Sequence, residues 1–173
     1  MKNKLFFLFF LLIFLAGCSY EKETFRKLEK QGDTLFSQGR KKEAIERWQD
    51  ALKFKKTSSI YEKIVVTLII ERENKQATIW AEQGLTYFPD CCNLIYNLSY
   101  LCLLEKNYDK CLKNIDRLLA INKYYPEAHF MKGMIFEQTG RIKEAKEEYV
   151  KELNINPGCK KAWEKIKEIG DEK

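Results

Sequence analysis

An all-α architecture of repeated helix–turn–helix units is predicted from three observations. The stretch Pro126 to Pro157, PEAHFMKGMIFEQTGRIKEAKEEYVKELNINP, sets a pattern that recurs upstream every 34 residues. Within it, small residues (Gly133, Ala145) alternate with aromatics (Phe136, Tyr149) at spacings that put them on facing sides of two helices. Gly140 supplies the positive φ favoured at a helix C-terminus, and Pro157 stops the second helix. One such pair of helices cannot bury its apolar face alone, whereas stacked neighbours can.

The chain has 173 residues, and the first 17 are set apart from the repeats. Met1 to Lys4 is a short basic start, and Leu5 to Leu15 is an uninterrupted apolar run. That run is too short to cross a bilayer, which takes about 20 residues. A basic start, an apolar run and small residues before a cleavage point read as a secretory signal, here 1–17. Leu15-Ala16-Gly17-Cys18 resembles the lipobox of bacterial lipoproteins. The resemblance implies diacylglyceryl transfer to the Cys18 thiol, cleavage before Cys18, and localisation on a membrane of the cell envelope. In a diderm host, Ser19 is compatible with sorting to the periplasmic side of the outer membrane. Residues 18–24 then read as the lipidated start and a polar tether reaching at most about 20 Å. Arg26, Lys27, Lys30, Lys41 and Lys42 make this end basic, as a solvated face of the first repeat or as a contact with anionic head groups.

Without the signal, 29 basic and 25 acidic residues remain, interspersed at helical spacing. No basic block with interleaved aromatics argues for nucleic acid. Of six cysteines, Cys18 is assigned to lipidation. No CxxC spacing accompanies the one histidine, so neither a metal site nor a cofactor is expected. Cys102 and Cys111 both fall inward, as small core residues or as a disulfide that export permits.

The repeats follow in order, at about 25–57, 58–91, 92–125 and 126–159. In the first, Leu28, Gly32, Leu35, Gly39, Ala44, Trp48 and Leu52 hold the pattern. In the second, Tyr61, Leu68, Ala77, Leu85 and Pro89 hold it, Val65 and Arg72 depart from it, and Ser58 or Ser59 is the expected N-cap. In the third, Ile95, Ser99, Cys102, Cys111 and Ile115 hold it. In the fourth, Lys132, Lys146 and Glu152 put charge on normally inward positions, which predicts a less covered side near the array's end. Ala162 and Trp163 begin a fifth period, 160–170, with no partner helix, as a cap.

This pattern resembles the tetratricopeptide repeat (TPR). The resemblance implies a right-handed superhelical solenoid spanning 25–170 whose concave groove is lined by the first helix of each repeat. It also implies which positions project there. Across the middle of the groove these are Glu62, Val66, Ile69, Ile70, Asn93, Tyr96, Asn97, Tyr100, Leu103, Phe130, Met131 and Met134, with Leu104, Glu137 and Gln138 alongside. An apolar patch of that size marks a binding surface. Glu29 and Asp33 stand where the family's carboxylate clamp wants a basic residue and an asparagine, so that clamp is not supported. His129 occupies a packing position, and no catalytic triad, metal spacing or phosphate-cradling loop is present. The expected function is therefore a non-catalytic, lipid-anchored adaptor or scaffold for a protein or peptide partner. A carrier of a small hydrophobic ligand and a self-associating structural lipoprotein are the alternatives.

Overall fold

In the computed structural model, the described residues are 2–171 for the backbone and 20–170 for side chains. Cys18 and the signal segment thus fall outside the described side chains. Nine α-helices and no strand occur among the described residues: α1 (Lys2–Ser37), α2 (Lys41–Phe54), α3 (Ser58–Ile70), α4 (Asn74–Tyr87), α5 (Cys92–Leu104), α6 (Tyr108–Ile121), α7 (Ala128–Gln138), α8 (Ile142–Ile155) and α9 (Lys160–Asp171). The chain divides into two compact units, Met1–Arg72 and Glu73–Lys173.

In the first unit, α1 packs on α2 and α2 on α3. The close approach of α1 and α2 depends on the absence of a side chain at Gly32. A methyl group there would lie 2.4 Å from Trp48 Cδ1. Trp48 is buried, its indole Nε1 donates to Asp33 Oδ1 at 3.0 Å, and its ring lies 5.8 Å from that of Phe36. Ala44, Ala51 and Leu52 complete the face that α2 buries. The N-cap of α3 is Thr57, whose hydroxyl accepts from the Ile60 amide, so the expected cap at Ser58 or Ser59 is corrected by one residue. Thr57 is still extended, the conformation from which a capping side-chain oxygen typically turns onto the first amides. Residues 20–24 are helical and continue into the first repeat without a break.

In the second unit, α4 packs on α5, α5 on α6, α7 on α8, and α8 on α9. The α7–α8 pair repeats the device seen at Trp48. A methyl group on Gly133 would lie 2.5 Å from Tyr149 Cε1, and Tyr149 is fully buried. Cys102 and Cys111 are buried and unbridged, as the core reading had it. The Cys111 thiol donates to the Ser99 carbonyl at 3.1 Å, and burial, with Cys102 second, pushes it up to about 12. It is therefore a packing group rather than a nucleophile.

Glu152 overturns the expectation of an uncovered side. It is fully buried and accepts from the backbone amides of Glu127 at 3.0 Å and Phe130 at 3.4 Å. The N-terminus of α7 leaves amides without intrahelical partners, and a carboxylate from α8 takes them. Charge at this inward position thus marks a covered helix end. Lys132, half-buried, reaches Asp116 at 2.7 Å, and Lys146 is exposed.

Four residues at the same place in the four repeats adopt positive φ: Gly39 (77°), Arg72 (62°), Lys106 (58°) and Gly140 (75°). At three of these turns the next amide reaches back five residues, Arg40 to Leu35, Asn107 to Cys102 and Arg141 to Phe136, at 2.8–2.9 Å. That bond closes the helix and fixes a left-handed residue before it. A Cβ in that conformation costs roughly 1–2 kcal/mol, partly offset because glycine also loosens the unfolded chain. Lys106→Gly is expected to stabilise the fold by about 0.5–1 kcal/mol in a thermal melt, and a lower melting temperature would contradict this.

Candidate functional site: an apolar groove on α5 and α7

The outward residues of α5 and α7 build the candidate site within the second unit. Tyr100 and Leu104, one turn apart on α5, are 37% and 46% exposed. Leu103, Leu104 and Met134 line a pocket of about 340 Å³ together with Lys106, Tyr108, Glu137, Gln138 and Lys165. The pocket joins α5, the α5–α6 turn, α7 and α9. An apolar floor rimmed by a few polar groups suits a hydrophobic side chain held in one orientation. Glu137 is pinned on the rim, accepting from Tyr149 Oη at 2.6 Å and Lys165 Nζ at 2.9 Å. Burial pushes its carboxyl up, but those two donors outweigh burial and hold it below its ordinary value.

The other groove positions separate into three groups. Phe130 and Met131 are corrected, at 7% and 1% exposed. The Phe130 ring lies 5.5 Å from that of Tyr149, in a cluster with Phe136, Ala145, Cys159 and Ala162. Contacts with α5, α6 and α8 cover α7 on several sides, and residues from the α9 end close over Phe130. Met134 is partly buried against the same cluster while lining the pocket.

Tyr96, Asn97 and Asn93 form the second group. Tyr96 is half-buried and donates to Glu127 Oε2 at 3.0 Å, and its ring lies 5.3 Å from that of Tyr125. Burial, then the Glu127 carboxylate, raises its phenol well above the ordinary value. Tyr125 Oη donates to Asn93 Oδ1 at 2.9 Å, and Asn97 is half-buried. These residues join α5 to the start of α7 and leave Tyr100 as the exposed aromatic of the strip.

The third group lies on α3 in the first unit. Val66 and Ile70 are exposed, and Glu62 and Ile69 are half-buried. Lys63 beside them reaches Asp33 at 2.8 Å and Glu29 at 3.2 Å. The two acidic residues that replace the clamp are thus held by a lysine from the following repeat.

Lys106, Tyr108 and Lys165 were not on the sequence-derived groove. The signal for Lys165 lies in α9, where Ala162, Ile166 and Ile169 recur at helical spacing and seat that helix on the preceding pair. Lys165 falls beside that stripe. A second hollow, of about 630 Å³, lies between α1 and α2, where Lys27, Lys30, Arg40, Glu43 and Arg47 bring charged groups round Leu35. His129 is half-buried, with Nδ1 2.6 Å from Glu148 Oε2.

Repeated helical pairs that close on a buried aromatic at Gly32 and Gly133, turn at a left-handed residue and expose an apolar strip define an all-α helical-repeat fold. Residues 126–159 match the family model described as tetratricopeptide repeat. Solved structures share the fold over most of the chain. "Crystal structure of MamA protein" aligns with a TM-score of 0.77 at 20% identity, over 86% of this chain and 81% of that one. YrrB, described as a TPR protein with an unusual peptide-binding site, aligns with a TM-score of 0.67 at 19% identity, over 82% and 74% of the two chains. The first TPR of Spaghetti (RPAP3), bound to the HSP90 peptide SRMEEVD, aligns with a TM-score of 0.62 at 17% identity, over 65% and 90%. No match was found among curated proteins.

Proposed function

We propose that this chain is a non-catalytic adaptor of the bacterial cell envelope, anchored by lipid at Cys18, that holds an apolar or amphipathic segment of a partner polypeptide. The carrying observation is that Tyr100 and Leu104 are exposed one turn apart on α5, with Leu104 lining a pocket beside Leu103 and Met134. Aromatic and methionine side chains are enriched where proteins grip partners, and a helix or extended segment laid along such a strip uses the same physics. Two proteins of similar fold are described as peptide-binding. The anchor is supported by the apolar run ending in Leu15-Ala16-Gly17-Cys18. Two or three acyl chains there give stable attachment, whereas one gives marginal attachment.

The test is crosslinking and pull-down from native membranes with wild type beside Tyr100→Glu. The variant is expected to lose at least about tenfold of the recovered partner with unchanged helicity and melting, because a buried unpaired carboxylate is costly in the complex and costless in water. Met134→Glu is unsuitable, since Met134 supports the core cluster and its loss confounds folding with binding. Recovery of the chain alone would point to self-association. A defined extra mass in native mass spectrometry would point to a small hydrophobic ligand.

A further inference from the structure

The basic residues near the N-terminus lie at two ends of the α1–α2 pair. Lys41 and Lys42 sit beside the Gly39 turn, with Lys41 paired to Glu71 at 2.7 Å. The other end lies about 18 Å away along α1, given a rise of about 1.5 Å per residue. There Lys22 and Arg26 of α1 meet Phe54 and Lys55 at the end of α2, around a hollow of about 320 Å³ completed by Glu21 and Phe25. Phe25 is buried beneath it, Lys55 Nζ stands 5.8 Å over the Phe25 ring, and Phe54 and Tyr20 are exposed. Among the described residues, none of Lys22, Arg26 and Lys55 has a carboxylate within ion-pair distance. Cys18 lies one helical turn before Lys22 in the same helix.

We propose that this end of the first unit is a docking surface for anionic phospholipid headgroups, with Lys22, Arg26 and Lys55 meeting phosphates and Phe54 entering the interfacial layer. The inference rests on the lipid-anchored reading, which brings this end of the hairpin to the bilayer. Unpaired cations gain near an anionic surface, and aromatics settle at the headgroup level. The Lys41 end is remote from Cys18, and Lys41 is already paired to Glu71.

The experiment uses the full chain purified from membranes in detergent, with its intact mass read for acyl groups. It is then reconstituted into phosphatidylcholine vesicles, with or without roughly a third phosphatidylglycerol, at low ionic strength. Amine-reactive labelling of Lys22 and Lys55 is followed against Lys143 on α8 as control. Both are expected to label about fivefold or more slowly on the anionic vesicles, with the difference removed by high salt. Arg26→Glu, an exposed change checked by thermal melting, is expected to restore fast labelling. Equal rates on the two vesicle types, or slowing unaffected by Arg26→Glu, would overturn the site. An acylated mass with equal rates removes the site and leaves the anchor. An unmodified mass with slowed labelling removes the anchor and leaves the site.

Discussion

Gly133→Ala is expected to destabilise the fold by about 2–3 kcal/mol, although alanine is the better helix former by about 1 kcal/mol. The added methyl group would meet Tyr149 at 2.5 Å, far inside contact distance, and the ring cannot retreat because it is fully buried. Its hydroxyl is fixed on Glu137, and its face is packed 5.5 Å from the Phe130 ring centre. Thermal and urea melts of Gly133→Ala, Tyr149→Leu and the double variant form a cycle. The double variant is expected to recover part of the loss, because the smaller side chain makes room for the methyl group. A single variant as stable as wild type would show that α7 and α8 are not held apart by this ring.

The second large effect is on acid stability. Glu148 is buried, and burial by itself would raise its pKa. Hydrogen bonds with His129 at 2.6 Å and Lys151 at 2.8 Å, with the nearby Lys132 charge, more than offset this and lower it to about 2. A carboxyl depressed in the fold relative to its unfolded value of 4.5 contributes stability that is complete above pH 4.5. That contribution declines as pH falls from there toward 2, and amounts to about 3 kcal/mol from the size of the shift. Wild type should therefore lose melting temperature steeply across this window, and Glu148→Gln, weaker at neutral pH, should show a flatter profile. Parallel profiles for the two proteins would remove Glu148 as the acid-sensitive group.

The register of the repeats was legible because glycines must face bulky rings. Gly32 against Trp48 and Gly133 against Tyr149 are the same steric device, and spacing alone reveals it. The left-handed turn was legible at Gly39 and Gly140, where composition announces it, and hidden at Arg72 and Lys106, where tertiary packing imposes the same φ on side-chain-bearing residues. Glu152 was misread for a related reason. Hydrophobic pattern treats a charge as a sign of water, whereas the amides at the start of α7 are a substitute for water that sequence does not display. Among the expected groove positions, the exposure of Tyr100 and the place of Leu103 in a pocket lining agree with the register. Phe130 and Met131 do not, because their burial depends on neighbouring helices and the closing helix, whose positions the repeat pattern leaves open.

The unbroken course of α1 has a mechanical meaning. A coil of six residues joining an anchor to a domain would let it swing through a hemisphere of about 20 Å radius. A helix of the same length advances about 9 Å and transmits heading as well as distance. If Cys18 is held in a bilayer, as proposed, the first unit would stand close to the membrane on a helix rather than at the end of a coil. Its encounters would then be governed by diffusion in the plane of the membrane.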